Sequence, residues 1–263
     1  MHEFAFVFAG FAVGLVVGLT GVGGGSLMTP LLIFGFGIKP HLAIGTDLLF
    51  AAFTKMGGTV NLARSRLVDW RIVGQVAVGS IPASLLTLYV LKLANPAMPA
   101  IQAVMTTTLG VALLLTAAAT LYKALRGKAA PVQIAPELLA DATKARHWSL
   151  PILFGAVIGT LVTLTSVGAG AIGVTVLMLL YPALPLNRIV AADIAHAVPL
   201  TLVAGLGHAS IGSVDWPLLA KLLAGSLPGI WLGSYLMHKT PDRVVRSLLS
   251  VLLAYAGMKL ISI

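Results

Sequence analysis

The 263 residues contain no cysteine, which excludes disulfides, Cys-ligated zinc and iron–sulfur clusters within the chain. Charge is scarce too. Asp, Glu, Lys and Arg make up 10% of the sequence, whereas a soluble domain carries roughly 25%. A surface so short of charge needs a lipid bilayer around it. The apolar N-terminal stretch, residues 2–21, has no basic n-region and no clear cleavage site, so it reads as a retained first helix rather than a signal peptide. There is no His-Glu-x-x-His, no Gly-x-Ser-x-Gly and no cluster of acids. Catalytic residues, a metal site and a cofactor are therefore not expected.

What the sequence has is hydrophobic length. Apolar residues make up 58% and mean hydropathy is +1.00. Apolar segments fall at about 4–20, 27–37, 43–62, 71–93 and 99–122, then at 150–163, 171–182, 189–207, 217–237 and 243–262. Many approach the roughly 20 residues that span a bilayer as helix. They are continuous rather than alternating, which argues against strands. The expected class is an all-α polytopic membrane protein with about 8–10 membrane segments. The net charge of +9 would suggest nucleic acid in a soluble protein. Here the basic residues sit in short loops, so the positive-inside rule accounts for them and no nucleic-acid partner is expected.

The chain repeats itself. Val68-Asp69-Trp70 matches Val214-Asp215-Trp216, Gly79-Ser80-Ile81-Pro82 matches Gly225-Ser226-Leu227-Pro228, and Asp47 matches Asp193, all 146 residues apart. Thr20-Gly21-Val22-Gly23-Gly24-Gly25 matches Thr165-Ser166-Val167-Gly168-Ala169-Gly170 at 145. Four ordered matches at nearly one spacing indicate a duplication. The expected organisation is a first transmembrane repeat over 1–122, a cytoplasmic linker over 123–148 and a second repeat over 149–263. Charge bears on orientation. If 4–37 and 150–182 each pass twice or re-enter, twelve Lys and Arg lie on the side of loop 63–71 and four on the other. If each passes once, the split is ten to six. The first arrangement obeys the positive-inside rule better, and it makes the repeats inverted.

Glycines break the helices. Gly21-Val22-Gly23-Gly24-Gly25-Ser26 interrupts one apolar run, and segment 27–37 after it is only about 16 Å long as helix, about half the hydrocarbon core. Backbone groups freed at membrane depth must face protein or a wet cavity. Ser26 can cap the helix that follows, whose N-terminal dipole favours an anion. Ser166-Val167-Gly168-Ala169-Gly170 is equivalent in the second half, so two glycine-broken or re-entrant helix starts can converge on one site. The alternative is close helix packing through small residues.

Of the eight acids, only Asp47 and Asp193 lie inside apolar segments. Charge at membrane depth costs from about 3 kcal/mol upward and usually has a role. Asp193 and His196 are one turn apart on one face, suited to binding and passing a proton. Phe50 replaces the histidine in the first half. Each Asp could instead cap its helix or snorkel. Lys55 lies deep in its segment, where it could neutralise Asp47 or hold an anion. Asn61 and His208 read as interfacial hydrogen-bonders, Trp70 and Trp216 as interfacial anchors, and Pro82, Pro199 and Pro228 as kinks.

The run Gly18-Leu19-Thr20-Gly21-Val22-Gly23-Gly24-Gly25 with Pro30, then Ala43-Ile44-Gly45-Thr46-Asp47 and Val68-Asp69-Trp70, resembles the TauE/SafE sulfite exporter family over nearly the whole chain. The resemblance implies a multi-pass protein of the bacterial inner (plasma) membrane that exports sulfur-containing or organic anions, such as sulfite or sulfonates. Asp47 stands where family motifs commonly carry Ser, which marks a departure. A homodimer is compatible with these features. The expected substrate-binding set is Gly23, Gly24, Gly25, Ser26, Thr46, Lys55, Ser166, Gly168 and Gly170. Asp47, Asp193 and His196 are expected to couple transport to protons or another ion. The leading expectation is a secondary transporter of a small anion. An anion channel and a non-transporting accessory protein are the alternatives.

Overall fold

A computed structural model of the chain describes residues 2–20, 25–126, 148–236 and 242–262. Gly23, Gly24 and nearly all of the expected linker lie outside the described residues, as does the side chain of Asn61. The described residues form ten α-helices and no strand. They are α1 (His2–Thr20), α2 (Gly25–Phe36), α3 (Pro40–Arg64), α4 (Trp70–Ala94) and α5 (Pro99–Arg126), then α6 (Ser149–Thr165), α7 (Ala171–Leu180), α8 (Leu186–Ser210), α9 (Trp216–Leu236) and α10 (Asp242–Ile261). The all-helical class expected from the sequence is the one found. Helices α4 and α8, with residues Pro99–Tyr122 of α5, are long and apolar enough to cross a membrane. Large apolar side chains such as Phe4, Leu93, Leu179 and Trp231 lie exposed on the outside, as lipid-facing residues would.

The two Asp-Trp pairs start helices. The Asp69 carboxylate accepts the N–H groups of Arg71 at 3.0 Å and Ile72 at 3.3 Å. Asp215 accepts the N–H of Leu218 at 3.0 Å. Each satisfies orphan donors of a first helical turn, and Trp70 and Trp216 beside them are exposed. Pro82, Pro199 and Pro228 lie inside α4, α8 and α9, and Pro30 lies inside α2.

Packing couples the halves. Helix α1 lies along α9 and α4 along α6; α3 lies against α8 and α5 against α10. Helices 1 to 5 match helices 6 to 10 by the sequence repeat, so the first helix of each half packs on the fourth helix of the other. Small residues set these contacts. Gly10, Gly14 and Gly18 of α1 meet the backbone at Leu222, Ser226 and Ile230 of α9, while Gly225, Gly229 and Gly233 meet Val7, Phe11 and Leu15 in return. Gly155 and Gly159 of α6 meet Val76 and Ser80 of α4. A Cβ at any of these glycines would overlap backbone, so the chains approach as closely as small-xxx-small packing permits. Residue numbers rise together in both contacts, so these pairs run parallel. Helices α3 and α8 run antiparallel: Gly45 meets Ser213 and His208, Gly205 meets Leu49, and Thr59 faces Ile194.

Three apolar clusters fill the interior. One joins Ile44 and Leu48 to Val76, Ile158, Val174, Leu177 and Leu200. Another joins Val13, Met28, Leu32 and Phe50 to Leu219 and Leu222. The third lies between α5 and α10 around Leu109, Leu113, Leu253 and Leu260. Polar side chains inside this frame stand out against their surroundings.

Candidate functional site

Asp47 and Asp193 are each the eighth residue of their helix, α3 and α8, and both are buried. Because α3 and α8 are antiparallel, the carboxylates stand towards opposite ends of the crossing. Lys55 lies between them. It is eight residues, or about 12 Å of helical rise, from Asp47, and one turn before Thr59, which faces Ile194. The Lys55 side chain is 7% exposed. Its ammonium interacts electrostatically with both carboxylates and with the His196 imidazole. Four ionisable groups singled out from the sequence are thus brought together inside an apolar frame.

Neither aspartate behaves as a simple helix cap. Thr29 of α2 donates its hydroxyl to Asp47 Oδ2 at 2.5 Å. The Ser166 hydroxyl, from the break between α6 and α7, lies next to the same carboxylate. On α8, the Asp193 carboxylate packs directly against Gly173 of α7, leaving no room for a Cβ there. The segment 166–173 therefore reaches from one carboxylate to the other. His196 Nε2 and Ser80 Oγ share a hydrogen bond of 2.7 Å, which ties α8 to α4.

The break in the second half is built from unusual backbone. Ser166 adopts a left-handed conformation at φ 60 and bonds its N–H to Val162 O at 2.7 Å, ending α6. Gly168 and Gly170 have φ of +135 and +124, values that glycine tolerates and other residues resist. The Thr165 hydroxyl accepts the Val167 N–H at 3.1 Å and donates to Leu161 O and Val167 O. It thereby satisfies backbone groups freed by the break, as a non-helical segment at membrane depth requires. Helix α7 then runs only ten residues, about 15 Å, and α2 twelve, about 18 Å. Both fall well short of the hydrocarbon core.

The first described residue of α2 is Gly25, and Ser26 follows it within the helix. Thr46 is fully buried, and its hydroxyl accepts the Asp215 N–H at 3.0 Å. That bond ties α3 to the start of α9. His208 donates Nε2–H to Thr163 O at 2.9 Å, the interhelical role expected of it. Gly168 and Gly170 lie in the segment between α6 and α7.

Sequence reasoning missed Thr29 and Ser80. Thr29 lies three residues after Ser26, one turn along the same face, and that spacing could have found it. Ser80 was in view as a repeat marker, with Ser226 as its counterpart. Position 50, which corresponds to His196, is Phe and offers no nitrogen. Ser226 Oγ is buried with no hydrogen-bond partner among the described residues.

Residues 6–260 match the family described as Sulfite exporter TauE/SafE. The chain is 35% identical to "Probable membrane transporter protein YjnA" of Bacillus subtilis (strain 168), covering 97% of this chain and 98% of that one. It is 27% identical to "Probable membrane transporter protein YunE" of the same organism, over 97% of this chain and 96% of that one. "Probable membrane transporter protein YdhB", also of that organism, is 28% identical over 95% and 97%. No solved structure matches. With the family matched from near one end to the other, on a frame of apolar helices with an ionisable cluster inside, the chain belongs to the TauE/SafE sulfite exporter family, and is a membrane transporter rather than an enzyme.

Proposed function

We propose that the protein is a secondary transporter, an exporter of a small anion such as sulfite or an organosulfonate, working by alternating access in the inner membrane. The observation that carries this reading is Lys55. Among the described residues it is the one buried Lys or Arg, and it lies where the glycine break at 166–170 comes close to buried carboxylates. A desolvated ammonium released from a carboxylate is a strong anion ligand, because the low dielectric magnifies its charge. Helix starts after glycine breaks add N–H donors and a positive dipole end.

Inverted repeats fit this reading. Equivalent helices α3 and α8 run antiparallel, and the contact of α1 with α9 has its counterpart in that of α6 with α4. A twofold axis in the membrane plane relates two inverted halves in this way, and rocking one against the other opens a central site to each face in turn. We assign cation coupling to Asp47, Asp193 and His196. The proton chain is Asp193 and His196 of the second half with Ser80 of the first. The substrate class follows the family's name and the asymmetry around a single lysine.

The test is a thermal-shift screen of the purified protein against sulfite, sulfate, thiosulfate, sulfonates and carboxylates at constant pH and ionic strength. A substrate bound to the folded state raises the melting temperature by mass action. A sulfur oxyanion is expected to raise it in the wild type and not in Lys55→Met. Indifference to every anion would count against the site.

A further inference from the structure

The polar surroundings of the two aspartates are unequal, and the inequality has a chemical meaning. Around Asp47 the structure gathers hydroxyl oxygen. Thr29 Oγ1 is bonded to Asp47 Oδ2 and Ser166 lies beside the carboxylate. Asp47 Oδ1 and Ser166 Oγ are both buried and have no hydrogen-bond partner among the described residues. Asp47 is 0% and Ser166 6% exposed. Around Asp193 the repeat offers Gly21 in the place of Ser166. A buried oxygen left without a partner costs about 1–3 kcal/mol, and more where it is charged. Ser166 approaches Asp47 without meeting hydrogen-bond geometry to it, and two such atoms on residues from different halves of the chain call for an occupant.

We propose that Asp47, Thr29 and Ser166 form a sodium site. The donors are all oxygen, the preference of a hard cation, with no nitrogen or sulfur to favour a transition metal. One carboxylate balances one positive charge, so a monovalent ion leaves the buried site neutral where a divalent ion would leave an excess. Ser166 also closes the C-terminal end of α6, where the helix dipole is negative, the kind of terminus that holds cations in broken-helix transporters. Sodium at Asp47 takes over the neutralisation that Lys55 otherwise supplies. The Lys55 ammonium is then left to Asp193 or to an anion, which links ion binding to substrate binding.

The proposal names the ion for the cation coupling proposed above and rests on that reading for its purpose. Sodium binding itself is measured without any anion. The purified protein in detergent is melted in NaCl, KCl or choline chloride at equal ionic strength and fixed pH, and direct 22Na+ binding is measured alongside. Saturating NaCl is expected to raise the melting temperature by on the order of 5 °C over choline, with KCl giving much less. Ser166→Ala and Thr29→Val are expected to melt near the wild type in choline, to lose the sodium shift and to bind 22Na+ at least tenfold more weakly. Equal melting temperatures in all three salts with no saturable 22Na+ binding would overturn the site. So would a sodium shift that survives in Asp47→Asn. Should a hydroxyl variant not fold, the salt comparison and 22Na+ binding by the wild type still decide. Sodium binding is read with no anion present, and a sulfite-induced shift without saturable 22Na+ binding would sink the sodium site alone, so the two readings fail separately.

Discussion

Lys55→Met is expected to lower anion flux by about 10- to 100-fold, the loss of one charge-assisted contact to substrate in a desolvated site. It is also expected to destabilise the protein. Lys55 is buried and interacts with Asp47 and Asp193, and removing one partner from a buried charge cluster costs about 3–5 kcal/mol because a charge is left uncompensated. A fall in flux alone would therefore be ambiguous. The double variant Lys55→Met with Asp47→Asn separates the effects. It removes the stranded carboxylate nearest the hydroxyl cage while the Asn amide can still pair with Thr29. Its melting temperature is expected to recover most of the loss while flux stays low. Flux that returns with stability would mean Lys55 serves only as a counter-ion. Flux in proteoliposomes with melting curves of the same preparations gives both quantities.

Gly229→Leu is expected to yield no monodisperse folded protein. A Cβ at Gly229 would overlap the Phe11 carbonyl and crowd the Leu15 N–H of α1, and leucine adds three more carbons in the same direction. Relief requires α1 and α9 to separate over their whole length, since Gly10, Gly14, Gly18, Gly225 and Gly233 make the same approach above and below. Lipid supplies no hydrophobic force to compensate, because leucine tails and lipid tails are equally apolar, so the lost van der Waals contact is not regained elsewhere. Gly74→Leu is the control. Gly74 lies in α4, and a Cβ there would meet nothing within 4 Å. Its replacement also improves helix propensity. Size-exclusion profiles after extraction compare the two. A monodisperse Gly229→Leu protein would show that the α1–α9 contact is looser than its glycines imply.

Much of the architecture could be read from composition and spacing. Continuous apolar runs fix helices in lipid because nothing else satisfies the backbone there, and the matches at 146 residues exposed the duplication. The charged members of the site were legible for the same reason: Asp47, Lys55, Asp193 and His196 are conspicuous in segments that are otherwise apolar. Neutral partners were not. Thr29 and Ser80 are common residue types in membrane helices; Ser166 is expected from its place in the second glycine motif, but only the antiparallel crossing of α3 and α8, with the break at 166–173 laid across it, assigns it to the neighbourhood of an aspartate from the other half. Thr46 shows the converse. Its hydroxyl accepts the Asp215 N–H, an interhelical bond no local pattern announces.

The repeat also explains why the site is lopsided. The sequence repeat carries two carboxylates in equivalent places, with hydroxyls near Asp47, a histidine one turn from Asp193 and a single lysine between them. Lys55 corresponds to Thr201, whose hydroxyl returns to its own helix at Ala197 O. Transport of an anion against its gradient needs such asymmetry, because substrate and coupling ion must bind to different parts of one site and yet affect each other.

The central claim is a saturable anion carrier, and the most direct measurement is the concentration dependence of 35S-sulfite efflux from proteoliposomes containing the purified wild-type protein. Efflux is expected to saturate with internal sulfite and to fall about 10- to 100-fold in Lys55→Met. Efflux that rises linearly without saturation and is accompanied by large electrical currents, or no efflux of sulfite or any organosulfonate, would contradict it.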